Sequence, residues 1–194
     1  MHRRVDSPRL STAARCGVAV GGLAMLVAPA RADMASPLTP LVDAAAQRLQ
    51  TADPVAASKW INNMPIEDPP RVQQVLAAVT TDAAANHVDP GYVSQVFNDQ
   101  INATDAIEYR RFSQWKLDPA GAPTAPPELS ASRAVIDGLN HRMVNEIALR
   151  SDVLHSAECA GELDDATNAV TIARQLDNLY RQALSFATRS YCRS

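Results

Sequence analysis

Between Asp89 and Trp115 the chain reads DPGYVSQVFNDQINATDAIEYRRFSQW. Asp89 followed by Pro90 is a helix start, and nothing after it breaks the helix. At about 100° per residue, Val93, Val96, Phe97, Ile101, Ile107, Phe112 and Trp115 share one broad apolar face, while Asn98, Asp99, Asn102, Asp105 and Tyr109 fall opposite. Gln100, Thr104, Glu108 and Arg111 interrupt the apolar face. Thr104 and Glu108 stand one turn apart on one line, so both point where a core belongs. A carboxylate inside a core is costly unless partners compensate it. Glu108 is therefore either half of a structural Glu–Arg pair between packed helices or a site group with a raised pKa, and this helix alone leaves both open.

Working outward, the composition points to an all-α fold. Alanine is abundant, glycine numbers only 7, and β-branched alternation is nearly absent. Prolines mark the joints. Leu38, Leu41, Val42, Ala45 and Leu49 form the stripe of a first helix, with Arg48 at its edge. Asp53-Pro54 starts a short second helix carrying Lys59 and Trp60, and Asp68-Pro69 starts a third along Val72, Val75, Leu76, Val79 and Ala83, with Arg71 in its first turn. The segment from Leu117 to Ser130 contains Pro119, Pro123, Pro126, Pro127 and Gly121 and reads as a crossover within one domain. Ser130 is expected to cap the next helix, which carries Arg133, Ile136, Leu139, Met143 and Ile147. A helical tail to Tyr191 completes a bundle of about six helices.

The first 32 residues are expected to be a leader rather than fold. Arg3, Arg4, Arg9 and Arg15 precede an apolar run from Gly17 to Val27, and Ala30-Arg31-Ala32 matches a signal-peptidase site before Asp33. The apolar run is too short to span a membrane, so the processed chain, residues 33–194, should be soluble in a secreted or periplasmic location. Removing the leader takes away five of the 18 Lys and Arg and one of the 21 acidic residues, leaving 13 against 20 and a net charge of −7. That balance argues against a nucleic-acid partner. The processed chain keeps two cysteines, Cys159 and Cys192, in an oxidising compartment, so a disulfide is expected. His155 lies one turn before Cys159, but no further Cys or His stands at ligand spacing, so no metal site is expected. A straight helix would separate the two cysteines by about 50 Å, whereas a disulfide needs Cα atoms roughly 4.4–6.8 Å apart. The tail must therefore fold back, and the turn is expected at Arg174 to Asp177, with Asp177 as a cap.

Arg48, Lys59, Arg71 and Arg133 come from four separate helices. Each alone reads as a solvated or snorkelling side chain. Together with Thr104 and Glu108 they suit an anionic ligand with more than one negative group, gathered at one depth of a bundle. At these residues the chain resembles the all-helical chorismate mutases of the secreted bacterial subclass. The stretches that carry the resemblance are LVDAAAQRLQ with Arg48, ADPVAASKW with Lys59, PIEDPPRV with Arg71, INATDAIEYRRFSQWKL with Thr104 and Glu108, LSASRAVID with Arg133, and LDNLYRQALSFATRSYC with Cys192.

The resemblance implies a unimolecular rearrangement of chorismate to prephenate, without cofactor or metal, in a homodimer whose sites each lie within one chain. It implies that Arg48 and Arg133 clamp carboxylates, that Lys59 and Glu108 donate to the ether oxygen, and that Arg71 and Thr104 make further contacts. Where the family pattern has a Gln one turn after the Arg of the third helix, this chain has Val75, and Gln74 is the neighbouring candidate for the missing contact. The rival reading is a secreted helical module that binds an anion or a partner without chemistry. Glu108 speaks against it, since a carboxyl among arginines helps catalysis and not anion binding.

Overall fold

The computed structural model describes residues 35–193 apart from residue 126, so the expected leader lies outside the described residues. Every regular element among the described residues is helical. They are α1 (Thr39–Gln50), α2 (Ala52–Ile61), α3 (Pro69–Ala85), α4 (Pro90–Leu117), α5 (Leu129–Leu149), α6 (Ser151–Leu154), α7 (Cys159–Ala173) and α8 (Asn178–Ala187), with a 3-10 turn at Pro119–Gly121.

α1 is more deeply embedded than a single apolar stripe suggests. Ala44, Ala45 and Ala46 are buried along with Leu41, Val42 and Leu49. Small side chains on several sides let neighbouring backbones approach, and a helix apolar nearly all round belongs in the interior. α1 accordingly packs against α4, α5, α7 and α8. Arg48, expected at the edge of the stripe, is buried with only 4% of its surface exposed.

Pro54 has no N–H to offer the Gln50 carbonyl, which is a local reason for the chain to break between α1 and α2. The second helix begins at Ala52, one residue earlier than Asp53-Pro54 suggests, and Asp53 sits in its first turn. There its carboxylate accepts from Arg111 Nε at 2.6 Å and Nη2 at 3.2 Å, which draws Arg111 to the rim of the core rather than into it. Asp68 caps α3 through the Arg71 N–H at 3.2 Å, and Asp89 caps α4 through the Gly91 N–H at 2.9 Å, both as the sequence indicates. Ser130 does not cap α5. Glu128 holds the N-cap position, and the Ser130 hydroxyl lies inside the first turn, donating to the Glu128 carboxylate.

α4, at 28 residues, is about 42 Å long and forms the spine of the molecule. It is covered on two sides, by α2 and α3 along one and by α8 along the other. That arrangement overturns the expectation that Asp99 faces solvent. Asp99 is fully buried and accepts hydrogen bonds from Arg189 Nη2 and Ser190 Oγ. Burial raises its pKa, but the Arg189 and Ser190 hydrogen bonds outweigh that, and the net shift is downward.

The tail folds back where expected. Gln175 takes a positive φ of 51°, and Asp177 caps α8 by accepting from the Tyr180 N–H at 2.9 Å. The helix stops at Ala187 rather than running to Tyr191. Cys159 and Cys192 are joined, with Cα atoms 5.7 Å apart. The two arms do not pack chiefly on each other: α7 lies mainly on α1 and α8 mainly on α4. Loop-closure entropy for a separation of 33 residues corresponds to about 4 kcal/mol of stabilisation. Replacing both cysteines with serine should therefore lower denaturant stability by about 4 kcal/mol. Thiol titration of the unfolded, unreduced chain lacking residues 1–32 should find none, and two free thiols would contradict the bond.

Candidate active site

One cleft gathers residues from five helices. α1 contributes Arg48 from its last turn, and α2 contributes Val55 and Lys59, one turn apart on one face. α3 contributes Arg71 and Val75, and α5 contributes Leu129, Arg133 and Ile136. From α4 come Ile101, Thr104, Asp105 and Glu108, at the i, i+3, i+4, i+7 spacing that puts four side chains on one helix face. The cleft holds about 570 Å³ including its open mouth.

Arg48, Lys59, Arg71, Thr104, Glu108 and Arg133 thus all line the same space. Gln74 does not. It is exposed to solvent, while Val75 is buried and forms part of the wall. A turn of about 100° per residue separates their directions, so Gln74 cannot replace a side chain at position 75.

At the floor, Lys59 Nζ donates to Glu108 Oε2 at 2.8 Å and to the Ile66 carbonyl, which the connection between α2 and α3 brings over it. Arg48 Nε donates to Asn140 Oδ1 at 2.7 Å and Arg48 Nη1 to Thr104 Oγ1 at 3.2 Å. The Thr104 hydroxyl donates its own hydrogen bond to the Gln100 carbonyl at 2.8 Å, so it can only accept from Arg48. Gln100 in turn donates to the Ala45 carbonyl at 3.0 Å, tying α4 to α1. Nearer the mouth, Arg133 pairs with Asp68 at 2.7 Å and Arg71 with Asp137.

Burial lifts the Glu108 carboxyl to about 7, against the opposing pull of the Lys59 charge and hydrogen bond. Burial likewise lowers Arg48 to about 10, which leaves it protonated at neutral pH. Asp105 is also raised by burial, with Lys59 opposing. Glu108 is thus paired, with Lys59 rather than with an arginine, and its pKa is raised.

Two cleft residues and one partner of a cleft residue lie beyond the sequence reading. Asp105 was placed opposite the apolar face, yet it lines the cleft beside Thr104. Asp68 was read only as a cap, and its second oxygen holds Arg133. Asn140 was not singled out at all, although it stands four residues after Ile136 and three before Met143, a polar residue inside an apolar line.

Among the described residues, an all-helical bundle sets a buried Lys–Glu pair and three arginines around one cleft, an arrangement whose chemistry suits a small anion with more than one negative group. Residues 39–109 match the family model described as Chorismate mutase type II. The chain is 59% identical over 177 residues to the secreted chorismate mutase of Mycolicibacterium smegmatis, covering 91% of this chain and 98% of that one. It is 53% identical over 186 residues to the secreted chorismate mutase of Mycobacterium tuberculosis, covering 95% and 94%. Among solved structures, a chorismate mutase from Burkholderia phymatum superposes with a TM-score of 0.77 at 29% identity, over 82% of this chain and 98% of that one. The chain belongs to the chorismate mutase family.

The Glu108 shift has a consequence for folding. Because its folded pKa lies above the usual carboxylate value of 4.5, its contribution favours the folded state fully below about 4.5 and is lost as pH rises through about 7. Carboxyl infrared or carbon NMR titration of the free protein should find one Glu with a midpoint near 7, absent in Glu108→Gln. A wild-type profile in which every Glu titrates near 4.5 would mean that Lys59 outweighs burial.

Proposed function

We propose that this protein converts chorismate to prephenate in the cleft described, by holding and polarising the substrate rather than by forming a covalent intermediate. The observation that carries the reading is the buried Lys59–Glu108 pair beside Arg48 within an arginine-lined cleft. In the rearrangement the ether carbon–oxygen bond breaks as a new carbon–carbon bond forms, electrons moving in one ring, with no atom gained or lost. What remains for the protein is to bind the compact conformer of a flexible dianion and to stabilise negative charge growing on the ether oxygen.

Arg48 and Arg133 fit the two carboxylates, with Arg71 and Thr104 as further contacts. Arg133 and Arg71 are already held by Asp68 and Asp137, so an incoming carboxylate exchanges with or joins those partners. Lys59 supplies one positive donor to the ether oxygen. Neutral Glu108 supplies a second, and a site that only bound anions would gain nothing from it. Val75 and its apolar neighbours shape the wall without offering a hydrogen bond at that position.

All six residues come from one chain, so the homodimer implied by the family resemblance would leave each site complete. Export belongs to the same reading. Two close relatives are named secreted, and among the described residues no helix is long and apolar enough to cross a membrane. Processing after Ala32 would give residues 33–194 as one domain, and N-terminal sequencing of exported protein should read Asp33-Met34-Ala35. Recovery of exported protein beginning at Met1 would refute cleavage.

The catalytic test is loss of chorismate absorbance with formation of prephenate. If neutral Glu108 is the donor, kcat/KM falls as pH rises through about 7, because the ionised form puts charge where charge is developing. Glu108→Gln should keep substantial activity with a flatter alkaline limb, and Glu108→Ala should lose most of kcat. A Gln variant as inactive as the Ala variant, or one that shares the wild-type pH profile, removes Glu108 from the donor role.

A further inference from the structure

We infer that Asn140 is a positioning residue for Arg48, orienting its guanidinium toward a substrate carboxylate while leaving it without a directly paired carboxylate. The inference rests on the mutase reading above. Three of the four cations in the cleft already have carboxylate partners: Lys59 has Glu108, Arg71 has Asp137 and Arg133 has Asp68. Arg48 is the exception. It is more deeply buried than Arg71 or Arg133, and among the described residues it forms no ion pair. Its two hydrogen-bond acceptors, Asn140 Oδ1 at 2.7 Å and Thr104 Oγ1 at 3.2 Å, are both neutral.

A guanidinium is a rigid planar fork with five N–H groups. Acceptors on Nε and Nη1 fix the plane and leave the Nη2 edge and one further N–H for a ligand. Thr104 lies on α4 and Asn140 on α5, so the side chain is held between two helices rather than by its own. Asn140 is itself 4% exposed and sits one turn beyond the cleft-lining Ile136.

Electrostatics explains why an amide suits this position. A carboxylate of the same shape would accept the same Nε–H and would relieve the desolvated charge on Arg48, whose pKa burial already depresses. It would also neutralise the guanidinium before substrate arrives, and a neutral pair attracts a dianion far less than a lone cation does. A neutral acceptor orients the side chain and leaves the cation without a bound counter-ion before the substrate arrives.

The two demands can be separated by measurement. Asn140→Asp should fold with a Tm equal to or above that of wild type, while its KM for chorismate rises roughly tenfold or more and kcat changes less than KM. Asn140→Ala, which removes the acceptor but not the charge, should lower both Tm and kcat/KM. A purely structural role predicts that Tm and activity move together in both variants. An Asn140→Asp protein that unfolds, or that keeps KM within about twofold of wild type, overturns the assignment. Wild-type protein inactive on chorismate would instead overturn the mutase reading itself, so the two failures are distinguishable.

Discussion

Arg48, Lys59 and Glu108 leave water together where α1, α2 and α4 meet, with 4%, 6% and 2% of their surfaces exposed. Each ion taken from water carries a penalty of several kcal/mol unless its lone pairs and protons find partners. That constraint reaches well beyond the three residues. The α2–α3 connection must pass close enough for the Ile66 carbonyl to reach Lys59, and α5 must lie close enough for Asn140 to reach Arg48. Gln100 must cross to the Ala45 carbonyl for α4 to keep its place on α1. The alanines of α1 make this possible, because larger side chains would hold the neighbouring helices too far away for such short polar contacts.

The back of α4 is fastened as firmly as its cleft face. Asp99 takes Arg189 and Ser190, the Tyr92 hydroxyl donates to the Tyr191 carbonyl, and the disulfide ties the end of the chain to the start of α7. These contacts involve no cleft residue. They hold α8 and the terminal turn against the spine, so the face carrying Ile101, Thr104, Asp105 and Glu108 is presented by a helix braced from behind. Preorganised donors act efficiently only when they need not rearrange as charge develops, and in the proposed mechanism this bracing would supply that rigidity.

Within the cleft, firmness decreases toward the mouth. Lys59 and Glu108 are sealed at the floor. Arg133–Asp68 and Arg71–Asp137 lie nearer solvent, with side-chain exposures of 37% and 30% in the first and 23% and 55% in the second. Ion pairs so exposed contribute little stability, so on the proposed reading an arriving substrate carboxylate would displace them at small cost. On the same proposed reading, the inner groups set the geometry of the reacting centre and the outer ones supply cations held in place before binding and free to exchange during it.

Much of this was readable from residues alone. Helix starts at Asp68-Pro69 and Asp89-Pro90, the turn before Asp177 and the pairing of two cysteines depend on local chemistry or on residue count, whereas the convergence of six polar residues from five helices was expected through the family resemblance. That resemblance is carried by six stretches, from LVDAAAQRLQ to LDNLYRQALSFATRSYC, in their order along the chain. Asp99, Asp105 and Asn140 needed the tertiary structure, as did the depth of Arg48. Periodicity assigns a helix one inward and one outward side. α4 is packed on two sides and α1 on nearly all, so neither has the single solvent face that such a reading assumes. The partners of Arg48 lie 56 and 92 positions away, and whether an acceptor that distant is a carboxylate or an amide, and whether it reaches at all, is decided only when the helices are brought together.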